Sequence, residues 1–268
     1  MNDTPELVLC IPGPWRDRAE LVESLVVSET GYLLVGGALR DTLSGFACDL
    51  VLEGADPDLA AAFAKAGPHW AASNAMAAVA DHDCVVYLVG KGGSLEAAEA
   101  MMRAAGALVE AGGLGVKVDS TGIAHGPAYW FDICDKLEQL TAHRALVVYV
   151  MGKEDVFSCG MHNFGLPDAM TGALDKPAAA DMLRTFTRYL LERGPVFADG
   201  HTFSVSEGEP VYRVRKVPAR DYGPDSLFNN PYGAWRLELE QAEARRPEPV
   251  AERGQADKQH GWWGRIRS

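Results

Sequence analysis

The sequence VGGALRDTLSGFACDLVLEG, residues 35–54, decides the fold class of the first part of the chain. It belongs to two apolar runs of strand length, residues 32–42 and 46–54, which the turn-forming pair Ser44-Gly45 separates. Two such runs with a short glycine-containing connection are typical of a β-hairpin. We therefore predict two antiparallel strands here, with Gly36-Gly37 as a bulge inside the first strand.

Strand and helix patterns on both sides of this hairpin extend it into a larger unit. Residues 7–11 form a short apolar run that is typical of a strand, and residues 84–90 form another. Helical patterns lie between these runs and the hairpin, at residues 15–29, 56–67 and 71–81. This order is that of a ferredoxin-like unit, provided that residues 84–90 close the sheet.

The next part of the chain also alternates between helical and strand patterns. The clearest helix is predicted over residues 94–113, where the Ser94 side chain can cap the first turn. The patterns that follow are strand 114–120, helix 127–137, hairpin 145–165, helix 175–194 and hairpin 201–217. We predict an α+β fold of mixed, mainly antiparallel sheets with packed helices, with two ferredoxin-like units as its specific arrangement. The folded region is expected to span residues 1–240, with candidate halves 1–90 and 91–240.

The last residues differ in character from the rest of the chain. Residues 241–268 are polar and contain proline, and they carry six Lys or Arg against four Asp or Glu. Such a composition buries too little apolar surface to fold, so we predict a disordered polar tail. Its closing WWGRIRS segment is a candidate anchor for a partner, although weak packing is the favoured interpretation.

Net charge restricts the partners that the protein can have. The 268 residues carry a formal net charge of −12, and the isoelectric point is about 5.0. An acidic surface repels phosphate backbones and anionic lipids, so we expect neither nucleic acid nor a membrane as a partner. The expected partner is a protein or a small molecule.

Cysteine usage and the N-terminal residues indicate the compartment. The five cysteines are odd in number and form no Cys-x-x-Cys pair, which is typical of free thiols in a reducing cytosol. The first residues lack a basic region followed by a long apolar run, and no stretch reaches the ~18 apolar residues that span a bilayer. We therefore expect a cytoplasmic protein.

Residues 35–54 also raise the hypothesis of metal-dependent nucleotide transfer, because an Arg-Asp pair precedes a strand that carries Asp49. That chemistry needs two carboxylates on one face, which a strand supplies as Asp-x-Asp. The residue two before Asp49 is Ala47, and Asp41 lies on a different predicted strand. The glycines of residues 89–94 have the wrong order for a phosphate-binding loop. We therefore expect no metal and no cofactor.

Two polar segments contain the candidate functional residues. The segment SCGMHNFGLPDA, residues 158–169, is the most concentrated, and DSTGIAHG, residues 119–126, lies on a loop that follows a strand. Loops at strand ends are frequent places for binding and catalytic groups. The candidate cluster is Asp119, Ser120, His125, Cys159, His162, Asn163 and Asp168.

A thiol, an imidazole and an amide can form a nucleophile set, but the spacing argues for caution. Residues three apart on a strand face opposite sides, so Cys159 and His162 meet only if the chain bends at Gly160. The favoured interpretation is structural, with a buried cysteine and with the histidine and Asn163 bonded to loop backbone. We therefore name no catalytic residues.

Four strings in the chain carry a family resemblance: CIPGPWRDRAELVESL, GGLGVKVDSTGIAH, SCGMHNFGLPDA and NPYGAWRLE. Together they resemble bacterial proteins of the domain of unknown function 4261 family, from about Leu7 to Glu238. The resemblance implies a bacterial, cytosolic protein and supplies no catalytic residues. It also argues against nucleotide transfer, because residues 35–54 then belong to a different pattern.

These observations favour a non-catalytic binding protein, or an immunity or adaptor-type protein, that recognises a protein or a small ligand. The acidic charge and the incomplete catalytic set motivate this interpretation. The alternative is a hydrolase or transferase whose site combines His125, Cys159 and His162. The distances between those three side chains distinguish the two hypotheses.

Overall fold

A computed structural model describes residues 4–172 and 174–240 of the chain. Within these residues the protein forms two mainly antiparallel sheets with packed helices, which confirms the predicted α+β fold class. The helices are α1 Arg18–Val27, α2 Leu59–Ala66, α3 Asn74–Val79, α4 Leu95–Glu110, α5 Pro127–Asp135, α6 Gln139–Leu146 and α7 Lys176–Arg193. The predicted disordered tail, residues 241–268, lies outside the described residues. None of the helices in the described ranges has the length and apolar character needed to cross a bilayer.

The first sheet has seven strands, and each neighbouring pair is antiparallel. Its strands are β1 Glu6–Gly13, β2 Tyr32–Val35, β3 Ala38–Asp41, β4 Ala47–Gly54, β5 Cys84–Lys91, β6 Val116–Val118 and β7 Ile123–His125. Their order across the sheet is β2-β3-β4-β5-β1-β6-β7. The longest pairing joins β1 to β5 over eight residues, so these two strands form the centre of the sheet.

The quoted hairpin region contains one turn more than the sequence predicts. Gly36-Gly37 is not a bulge but the two-residue turn between β2 and β3, because Val35 pairs directly with Ala38. Glycine pairs suit two-residue loops whose twist matches that of the strands. The predicted turn at Ser44-Gly45 is present, and there the Gly45 N–H donates to the Asp41 carbonyl at 3.1 Å. The predicted single strand 32–42 is therefore two short strands.

The strand order differs from that of a ferredoxin-like unit, so that prediction is not confirmed. In such a unit helical crossovers bring the first and third strands side by side. Here β5 lies between β1 and β4, and Gly54 at the end of β4 pairs with Cys84 at the start of β5. The α2–α3 segment is therefore a long excursion between antiparallel neighbours. The sheet also continues past residue 90, because it includes β6 and β7.

Alternating side chains of β1 pack against helices on the two faces of this sheet. Leu7, Leu9 and Ile11 point to one face and belong to the main core, which includes residues of α4. Cys10 points to the other face and packs in a smaller cluster with Phe63 of α2. Full burial of one leucine or phenylalanine side chain stabilises a fold by about 2 kcal/mol, so β1 is fixed from both sides.

The second sheet has six strands and one parallel pair, β10 with β13. Its strands are β8 Val148–Met151, β9 Val156–Cys159, β10 Asp168–Thr171, β11 Thr202–Phe203, β12 Tyr212–Val217 and β13 Ala234–Leu239, in the order β11-β12-β13-β10-β9-β8. Helix α7 packs on β8, β9 and β10, and α6 contacts both α4 and α7. The two sheets therefore share one continuous core, and β8 forms an edge beside α6 and α7.

Candidate functional site

The seven sequence-predicted residues come from both sheets. Asp119 and Ser120 lie in the turn after β6, and His125 ends β7. The other four lie in the second sheet or next to it: Cys159 ends β9, His162 and Asn163 lie in a short 3-10 helix, Met161–Phe164, and Asp168 begins β10. All of them except Asp119 are buried.

The chain bends at Gly160, as a meeting of Cys159 and His162 would require. Gly160 has φ +120°, which residues with a side chain rarely adopt, and β9 changes there into the 3-10 helix. A Cβ atom at this position would lie 2.1 Å from the Leu146 carbonyl oxygen. Glycine is therefore needed for the close approach of this bend to the end of α6.

Asp168 is the centre of a closed hydrogen-bond cluster. Its Oδ1 accepts from the Ser158 hydroxyl at 2.9 Å and from the Met161 N–H at 3.3 Å, and its Oδ2 accepts from Asn230 Nδ2 at 2.7 Å. Burial raises the pKa of the Asp168 carboxyl to about 6, although these hydrogen bonds oppose the shift. The groups around Asp168 therefore fix the turn and the start of β10 to the segment before β13.

A small cavity of about 20 Å³ lies beside this cluster. Ser158, Cys159, Asp168 and Asn230 are among the residues that line it. This volume is about that of one water molecule, so an organic substrate does not fit. The Asp168 cluster is therefore closed to ligands of drug size in this conformation.

The thiol of Cys159 is not poised as a nucleophile. Its Sγ points to the Ser120 carbonyl oxygen at 3.8 Å, and the side chain is buried. Burial raises the pKa of this thiol far above its usual range, and the nearby Asp168 raises it further. Because the thiolate is the reactive form, this environment suppresses reactivity at neutral pH.

His125 and His162 are buried, and both have lowered pKa values. Burial lowers the pKa of His125 to about 4, and its Nε2 lies 2.9 Å from the Ala145 carbonyl oxygen. Burial also lowers the pKa of His162 to about 4, and the Leu227 backbone offsets this only partly. Neither ring nitrogen of His162 has a hydrogen-bond partner of ordinary geometry. Both rings are therefore neutral at pH 7.

The structure brings Ser120 and Asn163 together, and their hydrogen bonds connect the turn after β6 with the 3-10 helix and the end of α6. The Ser120 hydroxyl donates to Asn163 Oδ1 at 3.0 Å, and Asn163 Nδ2 donates to the Leu146 carbonyl at 3.5 Å. Asp119 forms an ion pair with Lys117 of β6, two residues earlier in the chain. No hydrogen bond or ring contact within the described chain joins His125, Cys159 and His162 to one another. These contacts do not join the three residues of the alternative hydrolase or transferase hypothesis into a nucleophile set.

An open cleft lies between α6, β8 and α7, and none of the seven sequence-predicted residues lines it. Its volume is about 470 Å³. We call it the arginine cleft, and its lining consists of Ile123, Leu140, His143, Arg144, Val147, Val148, Tyr149, Met151, Ala180, Arg184 and Arg188. Small-molecule sites in proteins have volumes of ~300–1,000 Å³, so this cleft is large enough for such a ligand.

Hydrogen bonds between three elements fix the floor of the arginine cleft. The Thr187 hydroxyl of α7 lies 3.0 Å from His143 Nε2 of α6 and 2.7 Å from the Tyr149 hydroxyl of β8. Burial, followed by the three arginines, lowers the pKa of His143 to about 3. Burial raises the pKa of Tyr149 to about 12. The floor is therefore neutral at pH 7.

The charge of the cleft comes from its three arginines. The Arg184 guanidinium lies 5.1 Å from the centre of the Tyr149 ring and pairs with Asp181, which is exposed. Arg144 and Arg188 form no ion pair with a carboxylate in residues 4–172 and 174–240. No aspartate or glutamate of the described part of the chain lines the cleft.

One sequence signal points to this cleft in retrospect. Arg184 and Arg188 lie one helical turn apart on the predicted helix 175–194, so they share a face. Arg144 and Tyr149 come from other segments, and only the tertiary structure places them opposite that face.

In the described residues no group of three or more His, Cys, Asp or Glu is placed to hold a metal ion.

The described chain is thus an α+β protein of two mainly antiparallel sheets with a ligand-sized cleft beside one sheet edge. Residues 157–238 match the family described as a domain of unknown function (DUF4261), in agreement with the family resemblance noted in the sequence. The matched range contains the Asp168 cluster as well as Arg184 and Arg188, whereas Arg144 precedes it. Comparison with curated proteins and with solved structures finds no match.

Proposed function

We propose that the protein is a non-catalytic binding protein that recognises a small ligand in the arginine cleft. The observation that carries this proposal is the cleft itself, which has a volume of about 470 Å³ and both apolar and cationic side chains in its lining. Convergent polar groups in a mostly apolar concavity are typical of ligand sites. The five free cysteines support a location in the cytoplasm.

The properties of the sequence-predicted cluster favour binding over the alternative of a hydrolase or transferase. A nucleophilic cysteine needs a lowered pKa and a base within hydrogen-bond reach. The pKa of Cys159 is raised, and the hydrogen-bond partner of its thiol is the Ser120 carbonyl, which is not a base. The cavity beside it holds about one water molecule.

A variant with a bulky side chain in the arginine cleft tests whether small ligands bind there. Val148 lines the cleft, and Val150 lies on the same edge strand but outside the lining. We expect Val148→Trp to abolish the binding of ligands found by a nuclear magnetic resonance screen of small molecules, and the matched control Val150→Trp to retain it. The spectra should shift at residues of α6, β8 and α7. A screen without any binder in the cleft, or equal binding by both variants, would contradict the proposal.

A further inference from the structure

We infer that the ligand of the arginine cleft is a small organic molecule with a dianionic oxyanion group, as in a phosphate monoester or a dicarboxylate. This inference rests on the proposed function and adds the chemical class of the ligand. Three features of the cleft lead to it: its uncompensated charge, the placement of its guanidinium groups and its apolar side.

The local charge of the cleft is opposite to that of the chain. The chain carries a net charge of −12, yet the described residues that line the cleft include three arginines and no carboxylate. Arginine stays protonated at any physiological pH, so this charge persists. Arg184 has Asp181 as a partner, which leaves Arg144 and Arg188 as two charges without a carboxylate partner among residues 4–172 and 174–240. Two uncompensated positive charges are matched by a dianion.

The positions of the arginines suit an oxyanion between them. Arg184 and Arg188 extend from one face of α7, and Arg144 comes from the last turn of α6 on another wall of the cleft. Arg144 also complements the dipole of α6, but that role does not use its N–H donors. Guanidinium forks donate pairs of parallel hydrogen bonds to carboxylate or phosphate oxygens. The contact between Arg184 and the Tyr149 ring restrains one of these forks before a ligand binds.

The field of these arginines reaches the cleft floor. After burial, Arg188, Arg184 and Arg144 are the groups that lower the pKa of His143. A bound dianion would partly cancel this field, so it should raise the pKa of His143. The pKa of His143, measured with and without ligand, therefore reports whether the bound ligand is negatively charged, separately from how tightly it binds.

The rest of the lining explains why the ligand is organic. Ile123 and Leu140 are apolar and partly exposed, and Met151 at the end of β8 is exposed. A bare inorganic anion would leave these side chains in contact with water, whereas an aromatic or aliphatic body covers them. The ligand therefore has an anionic group and an apolar part.

Calorimetric titration with probes of matched shape tests the inference. Phenyl phosphate and phthalate carry two charges on an aromatic ring, and phenol is their neutral counterpart. We expect at least one dianion to bind about 100-fold more tightly than phenol, since two charge-assisted contacts contribute about tenfold each. The affinity should fall as salt is added. Comparison of the two dianions distinguishes a phosphate from a dicarboxylate.

Arginine variants assign the effect to the cleft. The double variant R144Q/R188Q should lose about 100-fold in affinity for the dianion, and R144K/R188K should lose less because it keeps the charge. Arg103→Gln is the control, since Arg103 is an exposed arginine on α4 outside the cleft. Circular dichroism checks that each variant is folded.

Two outcomes overturn the inference. One is that phenol binds as tightly as both dianions, and the other is that R144Q/R188Q binds them as well as R103Q does. In either case the proposed function stands if neutral molecules still bind in the cleft and Val148→Trp blocks them. If no molecule binds there at all, the proposed function fails together with the inference.

Discussion

Asp168 is a carboxyl group inside the second sheet that has no cationic partner among the described residues. The buried Asp168 carboxylate is stabilised by hydrogen bonds from the Ser158 hydroxyl, the Asn230 amide and the Met161 N–H, and both of its oxygens accept at least one of them. Hydrogen bonds of this kind offset part of the cost of burying a charge, but not all of it. The remaining cost is expressed as a pKa of about 6.

We predict that Asp168→Asn removes a pH dependence from the stability of the protein. Because the pKa rises from 3.8 in the unfolded chain to about 6 in the folded one, the folded state holds its proton more tightly. This group therefore stabilises the fold fully below pH 3.8, and that contribution is lost as the pH rises through 6. The difference in unfolding free energy between wild type and Asp168→Asn should fall by about 3 kcal/mol across this window.

Urea denaturation at a series of pH values measures that difference. Asp58→Asn replaces an exposed aspartate and serves as the control. Parallel curves for wild type and Asp168→Asn between pH 4 and pH 7 would show that the Asp168 carboxyl has an ordinary pKa.

At the scale of single residues, the sequence predicts buried polar groups better than their partners. Cys159, His162, Asn163 and Asp168 are recognisable because they occur within ten residues of one another. Asn230 is 62 residues away from Asp168, and it arrives there through the parallel pairing of β10 with β13. Such long-range pairing is not encoded in any local pattern.

Among the elements, the bend between β9 and the 3-10 helix joins the two sheets. At this bend Gly160 contacts the end of α6, and Asn163 reaches both the Leu146 carbonyl and the Ser120 hydroxyl. The 3-10 helix that follows β9 of the second sheet is therefore held by hydrogen bonds to the turn after β6 of the first sheet.

We predict that Gly160→Ala destabilises the protein by about 3 kcal/mol. The new Cβ would lie 2.1 Å from the Leu146 carbonyl oxygen, and φ +120° is unfavourable for alanine. Gly37→Ala is a matched control, because a Cβ at Gly37 meets nothing within 4 Å. The denaturation midpoints of the two variants compare these effects directly. A Gly160→Ala protein as stable as the control would mean that the bend relaxes easily.

Local patterns predict the elements but not their order across the sheet. Helix α4, which the sequence places at residues 94–113, forms over Leu95–Glu110 with the Ser94 side chain capping Ala97. The order β4-β5-β1 depends instead on which strands β5 pairs with after the α2–α3 segment. Pairings between residues such as Ile11 and Val86 are set by the shared core, so the local sequence does not specify them.

At the scale of the whole molecule, buried neutral histidines dominate the response to acid. The pKa values of His125 and His162 fall to about 4, and that of His143 falls to about 3. Each ring binds a proton more readily in the unfolded chain, at a pKa of 6.5. Their contribution is fully present above pH 6.5 and is lost as the pH falls towards 4. Since Asp168 acts in the opposite direction as a single group, the protein as a whole should lose stability in acid.

His162 allows the cleanest test of this response, because its ring nitrogens have no ordinary hydrogen bonds to lose. We predict that His162→Leu is at least as stable as wild type at pH 7 and loses about 3 kcal/mol less stability between pH 6.5 and pH 4. Urea denaturation across this range measures the loss, with Asp58→Asn, which replaces an exposed residue, as the control variant. If His162→Leu and wild type lose stability equally, His162 is protonated in the folded protein and an unseen partner compensates its charge. That result would imply that the interior around the 3-10 helix opens to water, which would also reopen the question of access to Cys159.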